Sequence, residues 1–261
     1  MSVHVTGAPG TAEHRIGGVP FRAAEFHETV DWVVSLAAGT HRGVNIRFLN
    51  AWNVALAHRD SGYRSLLMQR GINLPDGMPV AWLLKLRGAD AVADRIRGPS
   101  FFGEVMRQGI PAKLRHYLLG GSPAVLAQLT PMLTNRYDGV RIVGEYAPPF
   151  APLTEDYLRD CIERIRPTQP DLVWVGLGTP KQDYAGDELA TALGVPVLNV
   201  GAAFDFAAGA KREAPMWMQR SGFEWLFRLV SEPRRLWRRY LVGNIRFLIA
   251  VLIEWRSDRR R

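Results

Sequence analysis

Residues 171–182 combine side chains and turn signals that suit the binding of an anionic or polar ligand. An apolar run there ends in a Gly-Xaa-Gly turn that supplies the candidate binding residues Gly176, Gly178, Thr179, Lys181 and Gln182. Glycine turns free backbone N–H groups to face a ligand, and a neighbouring lysine adds positive charge. The spacing matches neither a dinucleotide fingerprint nor a P-loop. A glycine turn with an exposed lysine is the alternative.

Two aspartates also follow apolar runs. Asp76 precedes a glycine, and a carboxylate that faces a crevice from there can take a proton from an attacking hydroxyl. Asp-Gly is also a common turn, and turn chemistry alone favours a carboxylate that bonds its own backbone. Asp205, which follows Phe204, can hold a nucleobase or a ribose, or it can serve as a helix cap. Either aspartate can contribute to catalysis or binding only if the fold places its side chain in a crevice.

Arginines form two groups whose guanidinium forks suit a diphosphate. Arg95 and Arg97 alternate in a short segment, and an extended backbone would point them to opposite sides. Nearer the chain's end, pairs at helical spacing occur among Arg228, Arg234, Arg235, Arg238 and Arg239. A solvated charged face is the ordinary alternative for such a group.

Nothing in the sequence indicates a metal site. The six histidines are scattered, none pairs with another at ligand spacing, and no Asp-Xaa-Asp occurs. A sugar-nucleotide enzyme without that motif must neutralise the leaving diphosphate with arginines, lysine and helix ends. We therefore expect a metal-independent protein without a cofactor.

These candidates follow an alternation of strands and helices. Strands are predicted at 46–50, 72–74, 114–119, 140–144, 172–176 and 195–199, and helices at 54–70, 79–86, 124–133 and 153–166. Repeated strand-loop-helix units of this length predict an α/β fold, a Rossmann-like parallel sheet with helices on both faces. Ligands bind beyond the carboxyl ends of such strands, so the loops after the last two strands are expected to border one crevice.

Composition suits one large domain with an appendage. The chain has 261 residues, of which 47% are apolar. The lone Cys161 excludes a disulfide framework and favours a cytosolic protein, and no signal-peptide pattern precedes residue 19. We predict a mobile leader over residues 1–18, an α/β catalytic core over 19–210 and a helical appendage over 211–261.

The appendage carries the whole excess of positive charge. Residues 1–210 hold 20 basic and 20 acidic side chains, whereas residues 211–261 hold 13 and 5, with four of the eight tryptophans. The apolar stretch 245–253 is too short to span a bilayer, but with its flanking arginines it suits a helix in the membrane interface. Packing on the domain or on a second subunit is the alternative.

Several of these segments together resemble the WecG/TagA/CpsF family of bacterial glycosyltransferases. The resemblance covers residues 46–240 and rests on the shared order and spacing of short motifs. These are Asn50, Leu74-Pro-Asp-Gly77, Asp94-Arg-Ile-Arg-Gly98, Leu118-Leu-Gly-Gly121, Val143-Gly144, Pro148-Pro149-Phe150, Gly176-Leu-Gly-Thr-Pro-Lys-Gln182, Gly201-Ala-Ala-Phe-Asp-Phe206, Phe223-Glu-Trp-Leu-Phe-Arg228 and Glu232-Pro233.

The resemblance implies an inverting transfer of a sugar from a UDP-sugar to a polyprenyl-diphosphate-linked sugar, in the synthesis of exopolysaccharide, capsule or teichoic acid. It implies a peripheral protein at the cytoplasmic face of the inner membrane, held there by the appendage. The aspartate that matches Asp76 is the expected general base, and the positions that match Gln182 and Asp205 belong to the nucleotide site. The arginines of the appendage are expected to close over the diphosphate. The sequence leaves open whether the protein forms a homo-oligomer.

We therefore predict a catalytic group of Asp76, Asn50 and Arg95. The predicted substrate-binding group is Gly120, Gly121, Gly176, Gly178, Thr179, Lys181, Gln182, Phe204, Asp205, Arg228, Arg235 and Arg238. The sequence departs from the family pattern at Phe48, Pro79, Asp183 and Glu213, which stand for a threonine, a glycine, a glutamate and an arginine. These departures leave room for a different donor or acceptor.

Two other functional classes fit parts of the sequence. A basic nucleic-acid-binding protein would use the arginine-rich appendage on phosphates, but the apolar stretch 247–253 does not suit a groove-facing helix, so we expect no nucleic-acid partner. A non-catalytic nucleotide-binding regulator would share the sheet without the chemistry. Transfer to a lipid-linked acceptor separates that regulator from an enzyme.

Overall fold

A computed structural model describes residues 13–39, 43–69, 71–88 and 94–259. Its strands are β1 (Glu13–Ile16), β2 (Val19–Arg22), β3 (Asn45–Leu49), β4 (Ile72–Pro75), β5 (Arg115–Gly120), β6 (Arg141–Tyr146), β7 (Leu172–Gly176) and β8 (Val197–Asn199). The last six form one sheet in the order β4-β3-β8-β7-β5-β6, and every neighbouring pair is parallel. The predicted α/β class with a parallel sheet is confirmed.

Thirteen α-helices join and flank these strands in the described part of the chain. They are α1 (Phe26–Ala38), α2 (Ala51–Arg59), α3 (Ser61–Met68), α4 (Met78–Leu86), α5 (Gly98–Gln108), α6 (Pro123–Arg136), α7 (Glu155–Ile165), α8 (Lys181–Leu193), α9 (Ala203–Ala207), α10 (Met216–Ser221), α11 (Glu224–Ser231), α12 (Pro233–Trp237) and α13 (Gly243–Asp258). A π-helical turn, Arg238–Val242, connects α12 to α13. None of the helices in these ranges is long and apolar enough to cross a membrane.

The sheet is buried on both faces because its strands alternate between two apolar layers. Leu118 and Trp174 point to the layer that includes α1, α5 and α6, whereas Leu119 and Val175 point to the layer that includes α7 and α8. The strands therefore form a rigid platform whose carboxyl ends meet at one edge.

Two helices that the sequence predicts, over 54–70 and, within the appendage, over 217–229, are interrupted in the structure. The helix predicted over 54–70 is two helices, because Asp60 adopts an extended backbone and caps α3 by accepting a hydrogen bond from the N–H of Tyr63 at 3.0 Å. Residue 70 lies outside the described ranges. Gly222, with φ of +82°, ends α10 and separates it from α11.

The N-terminal leader differs from its prediction. Residues 13–18, which we placed in a mobile segment, form β1 and the turn of an antiparallel hairpin with β2, and Ile16 is fully buried. Residues 1–12 lie outside the described ranges. The pairing was missed because each strand has only four residues, too few for periodicity to stand out.

The last helix packs on the domain along one stripe. Phe247 and Ala250 of α13 are buried in an apolar cluster with the hairpin and α2. One turn further, the carboxylate of Glu254 accepts hydrogen bonds from the N–H groups of Gly17 and Gly18 at 2.8 and 3.2 Å. The opposite side of α13 is exposed and apolar, so packing on the domain uses only one face of the helix.

Candidate active site

A cavity of about 760 Å³ opens at the carboxyl edge of the sheet. Loops after β3, β4, β5, β6, β7 and β8 contribute to its wall, and residues of α11, α12 and the π-helical turn close one side. Of the predicted site residues, the cavity is lined by Asn50, Asp76, Gly121, Gly176, Gly178, Thr179, Lys181, Gln182, Phe204, Asp205, Arg228 and Arg235. The expected crevice is therefore present, and its wall combines loops of the sheet with residues of the appendage.

Asp76 lies directly after β4, and its carboxylate is not used within its own turn. Its N–H donates to the carbonyl of Leu49 at 2.8 Å, which continues the pairing with β3. Its Oδ1 accepts from the N–H of Gly98 at 3.3 Å, a residue 22 positions later. Burial raises the pKa of Asp76 to about 6, an effect that Arg95 opposes and Glu224 reinforces. A carboxylate with a pKa near 6 is mostly ionised at neutral pH and can act there as a general base.

Asn50 stands beside Asp76 as the N-cap of α2. Its side-chain oxygen accepts a hydrogen bond from the N–H of Trp52 at 3.0 Å, and its own N–H donates to the side chain of Asn53 at 3.0 Å. This reciprocal cap fixes the start of the helix that faces the cavity. Asn50 therefore shapes the loop next to the carboxylate and lines the cavity itself.

Arg95 is placed differently from the prediction. Its guanidinium donates to the carbonyl of Gln219 at 2.9 Å and forms an ion pair with Glu224, and it does not line the large cavity. Arg97, expected on the opposite side, also reaches Glu224 at 3.3 Å; that expectation was wrong, because residues two positions apart on an extended backbone lie on the same side. Arg95 is thus paired with Glu224 and does not contribute to the wall of the large cavity, contrary to the predicted catalytic role there.

Glu224 is a site residue that our candidate list omitted. Its side chain lines the cavity and receives Arg95 and Arg97, and a second acid, Glu213, pairs with Arg97 at 2.7 Å. Burial opposes its ionisation, but the two arginines outweigh that effect and lower the pKa of Glu224. The pairing joins α11 to the segment next to Asp76. The sequence does mark this residue, since Glu224 lies in the family motif Phe223-Glu-Trp-Leu-Phe-Arg228.

Gln182 and Lys181 stabilise the walls of the cavity. Gln182 accepts from the N–H of Gly178 at 3.0 Å and donates to the carbonyl of Asn199 at 3.2 Å, which ties the loops after β7 and β8 together. Lys181 donates to the carbonyl of Ala151 at 2.6 Å, and its Nζ lies 3.8 Å from the ring centroid of Tyr157. Both side chains are occupied by protein contacts at the cavity wall.

The predicted binding glycines do not all line the cavity, and some allow close packing of the backbone. Gly120 does not line the cavity, contrary to our grouping. Its φ is +114°, and a Cβ there would lie 2.6 Å from the carbonyl of Gly176, so it permits two strand ends to approach. At Gly176 itself, a Cβ would lie 2.9 Å from the ring of Phe204. Phe204 is thereby packed under the loop, with one part of its ring at the cavity.

Asp205 and two of the predicted appendage arginines, Arg228 and Arg235, line the cavity together with the loop after β7. Asp205 pairs with Lys211 at 3.0 Å. Arg228 stacks over Phe206 at 5.5 Å, and Arg235 pairs with Glu232 at 2.5 Å. Cationic groups therefore face the cavity from α11 and α12, a suitable environment for a diphosphate.

Arg238 is not in the site, and Arg239 takes the place that we assigned to it. Arg238 is exposed, with its guanidinium 5.2 Å from the ring centroid of Trp237. Arg239 lines the cavity, and its buried Nε has no hydrogen-bond partner. Both positions are near Arg235 on a helix, and the wider π-helical turn brings the later one to the cavity. Burial lowers the pKa of Arg239, because it separates the charged guanidinium from water.

Within the described ranges, no group of three histidine, cysteine, aspartate or glutamate side chains could hold a metal ion. The charged side chains that line the cavity are Arg228, Arg235, Arg239, Lys181, Asp76, Asp205 and Glu224. The site can thus offer one carboxylate as a base and several cations to an anionic ligand.

Comparison with known proteins agrees with this geometry. A model of the glycosyl transferase WecG/TagA/CpsF family matches residues 14–261. One relative, from Bacillus subtilis (strain 168), is called N-acetylglucosaminyldiphosphoundecaprenol N-acetyl-beta-D-mannosaminyltransferase. It is 26% identical over 248 residues, which cover 94% of this chain and 93% of the relative. The chain therefore belongs to the WecG/TagA/CpsF family of glycosyltransferases.

Proposed function

We propose that this protein is an inverting glycosyltransferase that moves a sugar from a UDP-sugar to a polyprenyl-diphosphate-linked sugar in the synthesis of a cell-surface polysaccharide. The observation that carries the proposal is the position of Asp76, whose buried carboxylate faces the same cavity as Asp205 and the appendage arginines. The relative's name supports the acceptor class, because it describes an N-acetylhexosamine linked to undecaprenol through a diphosphate.

The reaction follows from the arrangement of charges. Asp76 takes the proton of an acceptor hydroxyl as its oxygen forms a bond to the anomeric carbon of the donor. The bond from that carbon to the UDP oxygen breaks, and the electron pair leaves with UDP. Because the oxygen enters opposite the leaving group, the configuration inverts and no covalent enzyme intermediate is required. Arg228, Arg235 and Arg239 meet the charge that develops on the diphosphate.

The proposal is tested by incubating the protein with a panel of UDP-sugars and a short-chain diphosphate-linked N-acetylglucosamine acceptor. We expect one UDP-sugar to yield a disaccharide product by mass spectrometry, with an inverted anomeric centre by NMR. We also expect transfer to continue in EDTA, because arginines take the place of a metal in this proposal. UDP binding without any transfer would favour a regulator instead.

We also propose that α13 attaches the protein to the cytoplasmic surface of the membrane. Its outward face is apolar and exposed, and it is followed by basic side chains. The exposed apolar residues of this region, which we call the α13 outer face, are Leu241, Ile245, Leu248, Ile249, Leu252, Ile253 and Trp255. An amphipathic helix of this kind lies in the membrane interface.

Replacing Ile245, Leu248 and Leu252 together by serine is expected to reduce binding to anionic liposomes by about tenfold or more, since each large apolar side chain contributes roughly 1.5–3 kcal/mol when fully buried. Co-sedimentation with liposomes measures the effect. The three side chains are exposed, so folding is expected to persist.

The matched control replaces Met68, Leu86 and Met132, which are exposed and apolar but lie elsewhere, by serine. Membrane binding should survive in this control. Equal loss in both triple variants, or full binding by the α13 variant, would rule out the α13 outer face as the anchor.

A further inference from the structure

A second, smaller pocket lies on the other side of Asp76. It has a volume of about 110 Å³ and shares five residues with the large cavity, Asn50, Asp76, Glu224, Arg228 and Arg239. Its remaining wall is different in character and includes Trp52, Met78, Trp225, Tyr240 and Asn244. Ligand sites usually reach a few hundred Å³ or more. Because this pocket is smaller than that and shares five lining residues with the large cavity, we treat it as a subsite of the larger site.

The wall of the small pocket suits a sugar ring. Trp225 and Tyr240 stand with ring centroids 6.0 Å apart at an interplanar angle of 49°, which gives the pocket a cupped aromatic surface. Trp52 is held from behind, since a Cβ on Gly243 would lie 2.7 Å from its ring. Aromatic faces pack against the C–H faces of a pyranose, and the amide of Asn244 can bond a hydroxyl.

The position of Asp76 assigns the two spaces to two substrates. In an inverting displacement the acceptor oxygen enters from the side opposite the leaving group, and the base lies beside that oxygen. Asp76, Arg228 and Arg239 border both spaces. Arg235 and Lys181 border only the large cavity, whereas Arg95, the one cation that borders only the small pocket among the described residues, is paired with Glu224. The diphosphate of the donor therefore belongs in the large cavity, which leaves the small pocket for the sugar whose hydroxyl attacks.

We propose that the pocket formed by Trp52, Trp225, Tyr240 and Asn244 binds the sugar ring of the acceptor that carries the attacking hydroxyl. This inference rests on the proposed function and assigns one of its substrates to residues outside the predicted site. Arg239 borders both spaces, and its buried Nε has no hydrogen-bond partner within the protein.

The test measures binding of short-chain diphosphate-linked N-acetylglucosamine to UDP-loaded protein by calorimetry, and binding of UDP separately. Asn244→Ala and Trp52→Leu are each expected to weaken acceptor binding by about three- to tenfold, the equivalent of a lost hydrogen bond or ring contact. The affinity for UDP should stay within about twofold of the wild type, because neither residue borders the large cavity.

Trp52→Phe keeps an aromatic face and should recover most of the acceptor affinity, which a general loss of folding would not allow. Trp217→Leu is the matched control, since Trp217 is exposed and lines neither space. Unchanged acceptor binding in both Asn244→Ala and Trp52→Leu, weaker binding of UDP alone, or no acceptor binding by the wild type would overturn the assignment. Acceptor binding that depends on Trp52 and Asn244, without sugar transfer, would instead refute the proposed function and leave the subsite standing.

Discussion

Asp76→Asn is expected to lower the rate of sugar transfer by roughly 10²–10⁴-fold, the usual contribution of a positioned general base. Asparagine has nearly the same shape and can still accept the hydrogen bond from the N–H of Gly98, so the loop should keep its position. UDP binding should remain close to wild type, because the proposed diphosphate contacts come from other side chains. Single-turnover rates with saturating acceptor, beside calorimetry with UDP, measure the two effects.

The pH dependence of the wild type provides the second half of this test. The base must be ionised, so kcat/KM should rise with pH and level off above the pKa of Asp76, about 6, and this limb should vanish in Asp76→Asn. Since burial raises the folded-state pKa, the carboxyl favours folding at low pH, and that contribution is lost as pH rises through about 6. The variant should therefore be at least as stable as wild type at pH 8. Near-normal transfer by Asp76→Asn would remove Asp76 from the mechanism.

Much of the sheet could be predicted because each of its strands is a short apolar run that ends in turn residues. The run before Gly176 and the run before Pro75 both carry their own end signals. Parallel strands put those ends at one edge, so local sequence placed Asp76 and Gln182 in one cavity. Here local propensity and the global fold point the same way.

What local sequence could not provide is the pairing of distant charges. Arg95 looked like a phosphate ligand because its partner, Glu224, lies 129 residues later and on a different helix. Likewise, Arg235, Arg238 and Arg239 are all near neighbours on a regular helix, and only the π-helical turn decides which of the last two faces the cavity. Both errors arise from tertiary geometry that spacing alone does not encode.

The appendage shows the same limit in another form. Its apolar stretch allowed a membrane surface or packing on the domain as alternatives, and helical periodicity accommodates both. Phe247 and Ala250 occupy one stripe and are buried, whereas Ile245 and Leu248 point away. The arrangement also joins the two ends of the chain, because Glu254 caps the hairpin turn at Gly17 and Gly18. A cut before α13 would thus expose part of the core.

Glu224→Ala is expected to lower the free energy of unfolding by about 3–5 kcal/mol, the range for removal of one partner from a buried ion pair. The side chains of Glu224, Arg95 and Arg97 are only 13%, 15% and 7% exposed, so the two guanidinium groups would lose their main counter-charge inside the protein. Glu224→Gln retains an oxygen that accepts hydrogen bonds and should cost less. Urea unfolding at pH 7 measures both variants.

A matched control is Glu104→Ala, which removes an ion pair with Arg107 on the surface of α5, where Arg107 is 60% exposed. That change should cost no more than about 1 kcal/mol. Glu224→Gln also has a consequence that a purely structural role would lack: its charge helps to raise the pKa of Asp76, so the acidic limb of the rate profile should move below pH 6. An unshifted limb together with a stability equal to that of the Glu104 variant would show that Glu224 neither holds the site together nor tunes its base.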